Sequence, residues 1–108
     1  MAHERVVVIQ PDHPSLPGHF PGYPVVPGVV LLNEVMDSLY QLSEQPARVT
    51  GLPMVKFASP LKPGEAVTIR MEEDGPNSAM FRCHVGARLV ASGSLQFTRL
   101  PPDETGAL

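Results

Sequence analysis

The chain has 108 residues, a length that fits one domain, and its 43% hydrophobic and 18% charged content describes a folded protein rather than a disordered one. The formal net charge of −3 and the scatter of the eight Lys and Arg exclude the clustered basic face of a nucleic-acid binder. No apolar run approaches the roughly 20 residues of a membrane span. The first five residues lead into only four apolar ones and make no signal peptide. The lone cysteine, Cys83, forms no internal disulfide. The expectation is a soluble, cytoplasmic protein in a reducing compartment.

Residues 5–10 are β-branched and end at Pro11, which predicts a strand. Six of the 13 prolines fall between Pro11 and Pro27, where lost donors and restricted backbone forbid a periodic element. A loop of about 15 residues in a compact domain is usually functional or disordered. Phe20, Tyr23, Val25 and Val26 give this one material to pack down. Residues 27–44 read as a helix whose early turns are apolar almost all round, as in a helix enclosed by the fold, with Pro46 marking its end. Polar residues at 33, 34, 37, 38, 41 and 44 form one stripe, with Asn33, Asp37 and Gln41 stacked every fourth residue.

Residues 48–59 give a strand with a break at Gly51-Leu52-Pro53, then a turn at 60–64. Further strands follow at 66–71, 79–85 and 89–99, joined by short turns at 74–77 and Gly86 that call for antiparallel pairing. The pattern is strand, shaped loop, helix and four strands, an α+β layer arrangement in a single domain over 1–100. Residues 101–108 form a flexible tail.

His19 sits between Gly18 and Phe20-Pro21-Gly22 in a loop stiffened by Pro17, Pro21, Pro24 and Pro27. A histidine held by rigid surroundings meets the requirement of a general base. Nine residues later Gly28 opens the helix, whose first N–H groups lack internal partners and suit a carbonyl oxygen or developing negative charge. A base near such a helix start fits enolising chemistry on a thioester. On spacing alone, a lone loop histidine is more often a surface hydrogen-bonding residue than a catalyst.

The stretch from Asp12 to Leu32, with His19-Phe-Pro-Gly-Tyr-Pro-Val-Val-Pro27-Gly28-Val at its centre, resembles the signature of the bacterial 3-hydroxyacyl-acyl-carrier-protein dehydratases. Lys56-Phe-Ala-Ser-Pro60-Leu-Lys-Pro-Gly64-Glu and Arg88-Leu-Val-Ala-Ser-Gly resemble later parts of the same family, so the likeness spans roughly residues 6 to 99 in order. The resemblance implies a hot-dog fold, an antiparallel sheet wrapped around one long helix. It implies a homodimer, or a higher oligomer or heterodimer, with sites at the subunit interface. The implied substrate is a 3-hydroxyacyl group on acyl carrier protein or CoA, dehydrated to a trans-2-enoyl thioester in fatty acid or polyketide biosynthesis. No cofactor is implied beyond the carrier's phosphopantetheine, and no metal. His19 corresponds to the base that takes the C2 proton and Gly28 to the amide that holds the thioester carbonyl. Phe20, Pro27, Val29 and Asp37 are the expected substrate contacts.

The family places an acid on the helix fourteen positions after the histidine, to handle the departing C3 hydroxyl from the other subunit. Here that position is Asn33. An amide hydrogen-bonds a hydroxyl but transfers no proton at neutral pH, and loss of a general acid costs on the order of 10²–10⁴ in rate. Three readings stay open. Asp37, one turn along the same face, substitutes through a water; Asn33 positions a water for thioester hydrolysis; or the site binds acyl groups or carrier without turnover. Glu34 points about 100° away and reads as a solvated stripe residue. The four histidines and the one cysteine lack metal-ligand spacing. His84 reads as structural, Cys83 as core, and Met36, Met54, Met71 and Met80 as core filler or tunnel wall.

Overall fold

A computed structural model describes residues 2–10, 25–42 and 47–100. His19, Phe20 and Tyr23 of the proline-rich loop, and the tail from residue 101, lie outside the described residues. The elements run β1 (Ala2–Val8), α1 (Gly28–Leu42), β2 (Ala47–Phe57), β3 (Ala66–Gly75), β4 (Ser78–Val85) and β5 (Arg88–Arg99). The five strands form one sheet in the order β1-β3-β4-β5-β2, every neighbouring pair antiparallel.

Alternation explains the sheet. Val67, Ile69 and Met71 of β3, Ala79, Phe81 and Cys83 of β4, and Leu95 and Phe97 of β5 are all buried. They point to one face, as a two-residue period requires. Against that face α1 lays Val30, Leu31, Val35, Ser38 and Leu39, all buried and recurring once per helical turn. Each fully buried aliphatic or aromatic side chain contributes about 1.5–3 kcal/mol, so these facing rows hold the layers together. The result is the hot-dog arrangement that the sequence implies, α+β with one helix on one antiparallel sheet.

Three details depart from the sequence reading. Residues 51–53 do not break β2; the strand runs through them with register shifts between Val49, Gly51 and Met54. A bulge absorbs extra residues without ending a ladder. Early α1 is not enclosed all round, since Val29 is 65% exposed. The polar stripe also divides: Asn33, Asp37 and Gln41 are exposed, whereas Glu34 is half-buried and Ser38 fully buried. The tight turns expected at Gly64 and Gly86 are present, and both glycines adopt positive φ, 89° and 58°.

The helix is tied to the first strand through that inward polar pair. Arg5 of β1 donates from Nη1 to Ser38 Oγ at 3.0 Å and to the Glu34 carbonyl at 3.2 Å, and its Nη2 meets Glu34 Oε1 at 3.3 Å. Ser38 Oγ donates in turn to the Glu34 carbonyl at 2.8 Å. Glu34 is therefore not a solvated stripe residue: an arginine on the inner face of β1 draws it toward the sheet.

Candidate active site

Three backbone links position the start of α1. The amides of Val30 and Leu31 both donate to the Pro27 carbonyl, at 3.0 and 3.4 Å, so Pro27 closes the first turn. Those of Gly28 and Val29 stand ahead of that turn, where a helix has no internal acceptor to offer. Just before it, the Val26 amide donates to the Leu61 carbonyl at 2.8 Å, fastening the helix entrance to the turn after β2.

That turn is fixed in its own right. The amides of Ala58 and Ser59 donate to the Val90 carbonyl at 2.8 and 3.3 Å, and Ser59 Oγ donates to the Leu89 carbonyl at 2.7 Å. Arg88 reaches across to the Pro60 carbonyl at 2.7 Å and to Glu65 Oε2 at 2.7 Å. The Lys62 amide and the Arg88 guanidinium together hold the Glu65 carboxyl below its ordinary range.

Between these fixed pieces lies a cavity of about 440 Å³. Val26, Leu31, Leu61 and Val90 form its apolar wall, and Gly28 and Phe57 meet at its mouth. The Phe57 ring lies against the Gly28 backbone so closely that a Cβ there would stand 2.7 Å from Cζ. Phe57 is nonetheless 55% exposed, so only one side of its ring is covered. An apolar cavity with backbone N–H groups at its edge suits an acyl chain whose carbonyl rests at the helix start.

The expected site residues fall in two places. Gly28 is at the cavity, with Pro27 half-buried behind it. Val29, Asn33 and Asp37 are exposed on α1 and do not line this cavity, so within one chain the helix face and the cavity are separate. Sequence reasoning missed Phe57, Leu61 and Val90. The alternation through Met54, Val55, Lys56 and Phe57 is the signal that turns Phe57 toward the helix. Of the methionines read as core filler or tunnel wall, Met71 is in the core, whereas Met54 and Met80 lie exposed on the outer face. Cys83 is core, as expected, and burial pushes its thiol up to about 12. Among the described residues no cluster of His, Cys, Asp and Glu could hold a metal ion, and no helix is long and apolar enough to cross a membrane.

Residues 2–94 match the family model for ApeI-like proteins, described as ApeI dehydratase. The chain belongs to the ApeI-like dehydratase family. It is 31% identical over 108 residues to the 3-hydroxyacyl-acyl-carrier-protein dehydratase FabZ of Desulforamulus reducens, covering 87% of this chain and 76% of that one. The FabZ of Chlamydia trachomatis serovar L2 is 30% identical over 99 residues, 80% of this chain; the family member spans 65% of that relative's length. Among solved structures, the dehydratase heterocomplex ApeI:P from Xenorhabdus doucetiae superposes with a TM-score of 0.79 at 24% identity, covering 91% of this chain and 88% of that one. That likeness supports the fold.

Proposed function

We propose that this ApeI-like protein dehydrates a 3-hydroxyacyl group carried as a thioester on acyl carrier protein or CoA, giving the trans-2-enoyl thioester. The observation that carries the reading is the meeting of the Gly28 helix start with an apolar cavity in a chain of a dehydratase family. The acyl chain lies along Leu31, Leu61 and Val90, and the thioester carbonyl accepts from the Gly28 amide. That donor lowers the acidity barrier at C2, because charge moves onto the carbonyl oxygen as the proton leaves.

His19 takes the C2 proton, the C2–C3 double bond forms, and the C3–O bond breaks. The proton that His19 has taken passes to the departing hydroxyl, which leaves as water, so one C–H and one C–O bond are lost, one C=C bond is gained and His19 is restored. No electrons are gained or lost, so the reaction calls for no cofactor beyond the pantetheine that carries the acyl group. Asn33 contacts the C3 hydroxyl, with Asp37 one turn behind it as the nearest carboxylate on that helix face. Both stand on the exposed side of α1, so in this reading they serve the cavity of a second copy in a dimer.

The test is incubation with a 3-hydroxyacyl thioester while the absorbance of the conjugated enoyl product is followed. Wild type should form product and His19→Ala should not; equal inertness of the two sinks the dehydratase reading. Asn33 favours one second reading. A helix amide in place of an acid suits positioning of a water for hydrolysis, and release of free thiol without enoyl product would select a thioesterase. Binding of acylated carrier without either product would select a non-catalytic subunit.

A further inference from the structure

The outer face of the sheet carries a row of side chains that the cavity does not use. Register pairs Lys56 of β2 with Ser92 of β5, Ser92 with Arg82 of β4, and Arg82 with Arg70 of β3. Residues directly opposite share a face, so the row crosses four strands, a span of roughly 14 Å. Lys56, Arg70 and Arg82 are all exposed. Arg70 is answered by Glu4 of β1 at 3.2 Å, while Lys56 and Arg82 make no ion pair among the described residues. Two arginines directly opposite one another are destabilising in an isolated sheet, and this chain carries a net charge of −3 overall. The row is thus a cationic strip set in an acidic molecule.

The rung beside it is apolar and half-exposed. Met80 and Met54 flank Ser94 in register, 49% and 48% exposed, where the outward positions of a free sheet are ordinarily polar. Small serines on β5 between the long side chains of β2 and β4 leave a shallow trough, basic at one end with Lys56 and Arg82 and apolar at the other with Met54 and Met80; beyond Met80 the rung continues to Glu72 of β3, which bounds the trough on that side. Methionine adapts its shape to a partner's apolar residues, and a basic rim steers an acidic one. The strip also ends beside the cavity: Lys56 precedes Phe57, and strand alternation puts one on the outer face and the other at the mouth.

From this juxtaposition we infer that the outer face of β2, β5 and β4 is where the protein part of the carrier docks, an acidic surface presenting carboxylates to Lys56 and Arg82 and apolar side chains to Met54 and Met80. The inference rests on the proposed function for its choice of partner, and it selects acyl carrier protein over CoA as the physiological carrier. The carrier's arm then passes the edge of β2 at Phe57 to reach Gly28.

Two measurements test it on the full chain. The first compares one 3-hydroxyacyl group on acyl carrier protein and on N-acetylcysteamine, a small neutral thiol. Arg82→Glu and Lys56→Glu should each lower kcat/KM for the carrier-borne substrate about tenfold, with the small thioester changed less than about twofold. Equal loss on both substrates, or no loss on either, overturns the docking surface. The second measures binding of apo acyl carrier protein, which has no arm, by calorimetry at low and high salt. Wild type should bind more weakly as salt rises, and Arg82→Glu should weaken binding about tenfold at low salt. Unchanged affinity in the variant, no binding by wild type, or a charge reversal that instead dissolves a self-associated state overturns the proposal. An enzyme inert on both thioesters counts against the dehydratase reading alone, and the binding arm still decides the surface.

Discussion

Phe57 occupies the space that any side chain on Gly28 would need, its Cζ standing 2.7 Å from where a Cβ would be. The pair joins a strand end to a helix start at the mouth of the cavity. Because the obstructing atom is the tip of an exposed ring, Gly28→Ala should be tolerated by the fold, with unfolding free energy in urea shifted by less than about 1 kcal/mol. Turnover should fall at least about tenfold, since the displaced ring and added methyl crowd the carbonyl site. A variant as active as wild type would remove Gly28 from the mechanism.

Asn33→Asp restores a carboxylic acid at an exposed position of α1, one turn from Asp37. The expected outcome is a rise in dehydration rate of roughly 10²-fold or more, read from enoyl absorbance. No change would assign proton transfer to Asp37, and Asp37→Asn should then abolish the residual rate.

Ser38 is wholly buried between an arginine donor and a helix carbonyl. Ser38→Ala leaves Arg5 one acceptor short and should cost about 1–3 kcal/mol of stability, measured as a lowered urea midpoint at constant slope. Glu34→Gln keeps a hydrogen-bonding oxygen but loses the charge, and should cost less.

Cys83 should be inert to thiol reagents in the folded state at pH 8, because its thiol is buried and pushed from 9.0 up to about 12. The linkage follows from the sign. The unfolded thiol ionises first, so its contribution to stability is unaffected below about 9 and is lost progressively as pH rises from there toward 12. Cys83→Ala should remove that part of the alkaline loss, observed as a shallower fall in melting temperature above pH 9.

At Gly93 a Cβ would run into the Met54 carbonyl and the Phe81 ring, both inside the sheet. Gly93→Ala should therefore destabilise by about 1–3 kcal/mol, in contrast to Gly28→Ala. Equal effects of the two substitutions on urea unfolding would contradict the packing described.

Much of the architecture was legible in the chain because it is local. The alternation of Val67, Ile69 and Met71, the glycine turns and the proline that opens the helix each act through their own neighbours. The inward turn of Glu34 was not legible, since it depends on Arg5, 29 residues away in sequence. The cavity wall was hidden for the same reason: Phe57, Leu61 and Val90 are brought to Gly28 only by strand order and register. The motif around His19 pointed to a site through its chemistry; His19 lies outside the described residues, and Gly28, at the motif's far end, lines the cavity.

The bulged stretch of β2 holds more chain than the strand it pairs with. From Val49 to Val55 the strand advances six residues while β5 covers the same distance in four, from Phe97 to Gly93. The surplus comes as two single residues, one between Val49 and Gly51 and one between Gly51 and Met54, and each is absorbed by its own bulge. Deleting one residue there would remove one bulge and leave Lys56 opposite Ser92 and Phe57 opposite Ala91. From Met54 to Phe57 the ladder runs one for one, so deleting a residue between Met54 and Lys56 would exchange faces, putting an ammonium against the helix start and a phenyl ring in water. The upstream half of β2 thus carries slack in its length, and the four residues that follow carry none: one step there would unmake the inner cavity and the outer cationic strip together.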